Sequence, residues 1–137
     1  MKRIRIAVGS NDGERINPGH LGMAKDFYIF DIFRNGSSSF VEKRRNTSPP
    51  EIVKHGDPRK MRGVLQLCSG CDVIIGRKSS PNFIRVSKNT KFQPIVIEME
   101  RLKDIINEMS VNYEEIYGMI QHRKEGEKSE KVPKFPK

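Results

Sequence analysis

The chain has 137 residues, with 26 Lys and Arg against 17 Asp and Glu, for a formal net charge of +9. One domain of this length can fold without disulfides or a structural metal, and no apolar run approaches a membrane span or a secretory leader, so a cytoplasmic protein is expected. Cys68 and Cys71 lie too close for a useful cross-link and read as thiols; the positive charge favours solubility and polyanions but specifies no fold.

Residues 3–8 (RIRIAV) alternate basic and apolar and then run apolar, as a strand does on entering a sheet, and Gly9 ends it. Residues 10–26 follow as a glycine-rich polar loop around a lone histidine, His20, with Asn11, Asp12, Gly13, Pro18 and Gly19 bending the chain. Such loops, set between strands, carry function disproportionately. Residues 27–33 are aromatic and β-branched on both faces, the pattern of a strand covered on both sides. Asn35-Gly36 turns the chain into residues 39–46, whose Glu42, Lys43, Arg44 and Arg45 mark a charged edge strand.

Residues 47–57, with Pro49-Pro50 and His55-Gly56, read as a connector. Pro58 opens a helix on which Met61, Val64, Leu65 and Cys68 share one face, with Gly70 placed to stop it. Residues 71–76 (CDVIIG) form a short strand of the buried parallel type. Ser79-Ser80-Pro81 is a cap followed by a first-turn proline, predicting a helix from Pro81 to about Lys88 with Phe83, Ile84 and Val86 as the inward candidates. Residues 92–97 are the last strand, and Pro94 argues for a sheet edge. Leu102, Ile105, Ile106 and Met109 make one helical stripe; Tyr113, Ile116, Tyr117 and Ile120 make another, with Asn112 and Glu115 spaced as a capping box. Residues 123–137 are nearly all Lys, Glu, Gly, Ser and Pro, and read as a basic, disordered tail.

Three consecutive strands followed by alternating helices and strands predict an α/β domain over residues 1–122, with a five-stranded mixed sheet and helices on both faces. If the first strand is central, antiparallel to residues 27–33 and parallel to residues 71–76, the His20 loop and the loop after Gly76 meet where the connections diverge. Open α/β sheets bind ligands there. Residues 77–91 carry Arg77, Lys78, Arg85, Lys88 and Lys91 and no acidic residue, and Ser79, Ser80 and the following amides suit an anion as well as an ordinary cap.

These motifs resemble those of the dinitrogenase iron-molybdenum cofactor biosynthesis proteins, nitrogenase accessory factors that carry or store metal-sulfur cluster precursors. The likeness covers residues 1–109 and leaves residues 110–122 as a helical extension. It rests on Ser10-Asn11-Asp12-Gly13 after the first strand, on His20-Leu21-Gly22-Met23-Ala24-Lys25-Asp26-Phe27, on Asp31, on His55-Gly56 before a helix, and on CDVIIG. Leu21 stands where the family has an aromatic, and Arg77-Lys78-Ser79-Ser80-Pro81-Asn82 where it has a glycine-rich loop. The resemblance implies a three-layer, ribonuclease H-like arrangement. It also implies an iron-sulfur or iron-molybdenum cluster with His20 as its ligand; the candidate residues around it are Ser10, Asn11 and Gly22 on the His20 loop and, where the chain departs from the family, Arg77, Lys78, Ser79 and Ser80, whose basic side chains and helix start suit an anion.

From the residues alone, His20 reads as a surface histidine bonded within its loop ahead of a soft-metal ligand; the resemblance brings the two readings level. His55, Cys68 and Cys71 are weaker metal candidates: His55 merely precedes a helix, and a lone Cys-x-x-Cys on an apolar stripe reads better as buried structural thiols. His122 reads as solvated. There is no nucleophilic triad, P-loop or dinucleotide fingerprint. Asp12, Asp31 and Asp72 invite comparison with a two-metal nuclease, but the first strand has no carboxylate, so no enzyme is expected. The expectation is a binding protein for a metallocluster or other anion, passing it to or from a protein partner in nitrogen fixation. The alternative is a nucleic-acid-binding module that uses residues 77–91, Lys43 to Arg45 and the tail, with Phe83 or Phe92 to stack on bases.

Overall fold

In the computed structural model the described residues are 2–48, 58–128 and 131–137. The strands are β1 (Arg3–Ser10), β2 (Asp26–Phe33), β3 (Ser38–Arg45), β4 (Val73–Gly76), β5 (Gln93–Ile97) and β6 (Lys134–Phe135), and the helices are α1 (Pro58–Leu67), α2 (Pro81–Asn89), α3 (Leu102–Val111) and α4 (Tyr113–Lys124). Together they make an α/β fold on a mixed sheet ordered β3-β2-β1-β4-β5-β6. β1 is interior, antiparallel to β2 with Ile6 opposite Phe30, and parallel to β4 with Ile6 opposite Val73.

Alternation along the strands sorts the core into two clusters. Ile4, Ile6, Val8, Val73, Ile75, Ile95 and Ile97 pack with the apolar stripes of α3 and α4. Ala7, Phe27, Ile29, Ile74 and Val96 pack with Val64 of α1, with Cys68 just past its end, and with Phe83 and Val86 of α2. β3 carries no buried side chain and forms the outer edge, where its charges discourage further strand pairing.

Six strands replace the expected five. The sixth comes from the segment read as disordered: Val96 N–H donates to Pro133 O at 2.9 Å, Glu98 N–H to Phe135 O at 2.9 Å, and Phe135 is fully buried. β5 is therefore not the edge strand. Val96 and Glu98 turn their N–H groups toward β6, so Pro94, two residues earlier, has its missing donor on the same side, short of the Val96 and Ile97 pairing. The proline marks where the added strand stops. The expected capping box at Asn112 is absent too: the Asn112 side chain donates back to Glu108 O at 2.9 Å, and its backbone N–H closes α3 while its carbonyl starts α4. With the chain running almost directly from one helix into the next, little is left for a side chain to cap.

Two arginines close the helices on the α1 and α2 face at their C-terminal ends. Arg44, from β3, donates through Nη1 to Leu67 O and Ser69 O, both at 2.8 Å. Arg123, from α4, donates through Nη2 to Ser87 O at 2.8 Å and Thr90 O at 2.6 Å. Each cation sits at the negative end of a helix dipole.

Candidate functional site

The loop after β1 is built by its own polar side chains. Ser10 is fully buried; its hydroxyl donates to Arg15 O at 2.5 Å and accepts from Gly13 N–H at 2.9 Å. Asp12 Oδ1 accepts from the backbone N–H of Glu14 at 2.8 Å and of Arg15 at 3.0 Å, which holds its carboxyl below the usual carboxylate range. Asn17 donates to His20 O at 2.8 Å, Asn11 accepts from Lys25 N–H at 2.8 Å, and Asn46 donates to Gly22 O at 2.9 Å and Ala24 O at 2.7 Å. Gly9 lets this loop lie directly on β1, since a Cβ there would stand 2.6 Å from that of Ala24. His20 thus enters a short 3-10 turn, Leu21–Met23, with its backbone fixed and its side chain exposed.

Opposite, β4 ends at Gly76, where a Cβ would come within 2.6 Å of the Phe83 ring. The tip of the ring approaches the backbone this closely because position 76 has no side chain. Arg77 and Lys78 follow, and Ser80 caps α2 by accepting from Phe83 N–H at 3.2 Å, with Pro81 in the first turn.

The two loops face each other across a cleft at the C-terminal ends of β1 and β4. Gly19 to Met23 form one wall, Gly76 to Lys78 and Ser80 to Phe83 a second, and Lys60, Met61 and Val64 of α1 a third. Of the residues singled out from the sequence, His20, Gly22, Arg77, Lys78 and Ser80 meet here. No acidic side chain lines the cleft among the described residues, and none of the hydrogen bonds or ion pairs found there engages the side chains of His20, Lys60, Arg77 or Lys78. Thioethers add softness: Met61 lies on a wall and Met23 is 60% exposed at the mouth.

Other expectations fall elsewhere. Ser10 and Asn11 are not on the cleft, because both spend their polar atoms on shaping the loop. Ser79 is exposed but not on the wall. His55 lies outside the described residues. Cys68 and Cys71 are buried at the opposite end of β4 from Gly76, and burial pushes their thiols up to about 12 and about 11, away from the thiolate a metal needs. Asp31 pairs with Arg5 at 2.8 Å, and Asp72 accepts from Arg5 N–H at 2.9 Å, toward that same far end. Phe83 and Phe92 are buried and present no ring for a base to stack on. His122 is exposed at the end of α4, where its hydrogen bond to Glu127 at 2.6 Å raises its pKa. Sequence reasoning missed the α1 wall, since Met61 and Val64 read as core and Lys60 carried no motif.

The sequence profile described as dinitrogenase iron-molybdenum cofactor matches residues 2–112, which hold β1 to β5, α1 to α3 and every wall of the cleft. The chain belongs to the dinitrogenase iron-molybdenum cofactor family. Membership ties it to the biosynthesis or binding of that cofactor. No curated protein sequence matches the chain. In this dinitrogenase iron-molybdenum cofactor family member, α4 and β6 lie beyond the family-matched part, yet Arg123 of α4 holds the far end of the helix whose first turn lines the cleft. No helix among the described residues is long and apolar enough to cross a membrane.

Proposed function

We propose that the protein is a carrier, not an enzyme, whose cargo is an anionic iron-sulfur or iron-molybdenum cluster precursor held in this cleft and exchanged with a donor or acceptor protein. The observation that carries the reading is the exposed His20 imidazole, which among the described residues has no hydrogen-bond partner and shares the cleft with Lys60, Arg77 and Lys78 and with no acid. A metal-sulfur cluster is soft and polyanionic. A neutral imidazole can take one metal corner, while Arg77, Lys78 and the amide end of α2 balance the charge. A single imidazole in an open cleft holds its cargo without enclosing it, as transfer requires. The order β3-β2-β1-β4-β5, with β2 alone antiparallel, supports the three-layer ribonuclease H-like arrangement implied by the resemblance.

The test is anaerobic titration of a synthetic four-iron, four-sulfide cluster into the wild type and His20→Ala, with visible absorption and the iron retained after gel filtration as readouts. Wild type is expected to retain the cluster, and His20→Ala to bind it at least about tenfold more weakly. Equal retention by the two proteins would refute the role of His20, and no retention by the wild type would refute the cargo.

A further inference from the structure

We infer that Lys60 is an anion-binding residue of the cleft, held in place by the missing side chain at Gly22, and that the site therefore selects ligands carrying at least two negative charges. This rests on the carrier reading for the identity of the cargo, but not for the anion site itself. Lys60 lies in the first turn of α1 and lines the cleft with His20, Arg77 and Lys78. Its stem crosses the His20 loop: a Cβ at position 22 would stand 3.0 Å from Lys60 Cε, 3.5 Å from its Cγ and 3.4 Å from Val64 Cγ2. A lysine with its stem laid along such a surface keeps its ammonium at one end of that surface instead of sampling bulk water. Here that surface is the loop that carries His20.

Arg77 and Lys78 come from the opposite wall, so cations from two different elements converge on one space. No carboxylate lines that space among the described residues, and three like charges gathered there repel until an anion enters. The first turns of α1 and α2 both lie on the cleft, and the positive ends of their dipoles add to the same field. A monoanion leaves most of this charge uncompensated; a compact dianion or trianion does not. Position 22 thus sets where the ammonium goes, which accounts for a glycine at a site whose φ any residue can adopt.

The experiment uses two probes, pyrophosphate as a hard polyanion and the four-iron, four-sulfide cluster dianion as a soft one, titrated by calorimetry at two salt concentrations. The proteins are wild type, Lys60→Met, Lys60→Arg, Gly22→Ala and Lys103→Met, the last an exposed lysine on α3, which packs on the other face of the sheet. Lys60→Met keeps the stem and is expected to weaken both probes by about tenfold and flatten their salt dependence. Lys60→Arg should restore most of the affinity. Gly22→Ala should lower affinity with no change of charge, and Lys103→Met should match wild type. The inference is overturned if Lys60→Met binds within twofold of wild type, if Lys103→Met loses as much, or if wild type binds neither probe. Pyrophosphate binding that depends on Lys60, without any cluster binding, would leave the anion site standing and remove the carrier reading. Cluster binding that depends on His20 but not on Lys60 would do the reverse.

Discussion

Replacing Arg123 by methionine removes a buried guanidinium while keeping most of its stem, and the structure sets the expected cost. Arg123 is 6% exposed and donates to Ser87 O at 2.8 Å and Thr90 O at 2.6 Å, with a longer contact to Val86 O at 3.2 Å. Val86 O already accepts from Thr90 N–H and its hydroxyl, so two carbonyls depend on the guanidinium. Hydrogen bonds to a charged group contribute about 1.5–3 kcal/mol each, so the two supply about 3–6 kcal/mol before costs. Against this, the buried Nε–H has no partner, and desolvation lowers the guanidinium pKa. An unpaired buried donor costs about 1–3 kcal/mol. The balance predicts that Arg123→Met loses about 2–3 kcal/mol in urea unfolding. Because α2 also walls the cleft, anion affinity should fall with it. A loss below about 0.5 kcal/mol would mean that desolvation cancels the bonds, as it does for many buried charges, and that the helical extension does not brace the site.

Phe135→Ala should cost about 3–5 kcal/mol, because the ring is fully buried at the end of β6; a thermal midpoint unchanged from wild type would show that the last strand does not dock in solution. Cys68 and Cys71 should resist iodoacetamide at pH 8 in the native protein and react in urea, since burial keeps both protonated. As both thiols titrate higher in the folded state, their contribution to stability is full below about pH 8.5 and declines by about 1.4 kcal/mol per thiol for each pH unit above that, until the folded values near 11 and 12 are passed. A Cys68→Ala, Cys71→Ala double variant should lose that alkaline slope, and an unaltered slope would refute the assignment.

What the sequence alone determined is whatever short-range pattern dictates. The apolar runs of β1, β2 and β4, the Ser80-Pro81 start of α2 and the stripes of α3 and α4 each follow from local periodicity and capping chemistry. The crossover rules then place the His20 and Arg77 loops together, because a strand flanked by an antiparallel hairpin partner and a parallel crossover brings both loops to one end of the sheet. Tertiary structure decided what depends on contacts between residues far apart in the chain. β6 pairs through two residues and one buried ring, too little to leave a periodic trace in a lysine- and proline-rich segment. Ser10 turned inward to tie its own loop, which residue type cannot reveal, since the same hydroxyl serves a ligand equally well. Lys60 reached the cleft because α1 packs against the loop, with the lysine stem lying close over Gly22, and Arg44 and Arg123 found helix ends 23 and 36 residues away. Pattern fixes which surface of a helix is apolar; only packing decides which of its polar residues end up beside a site.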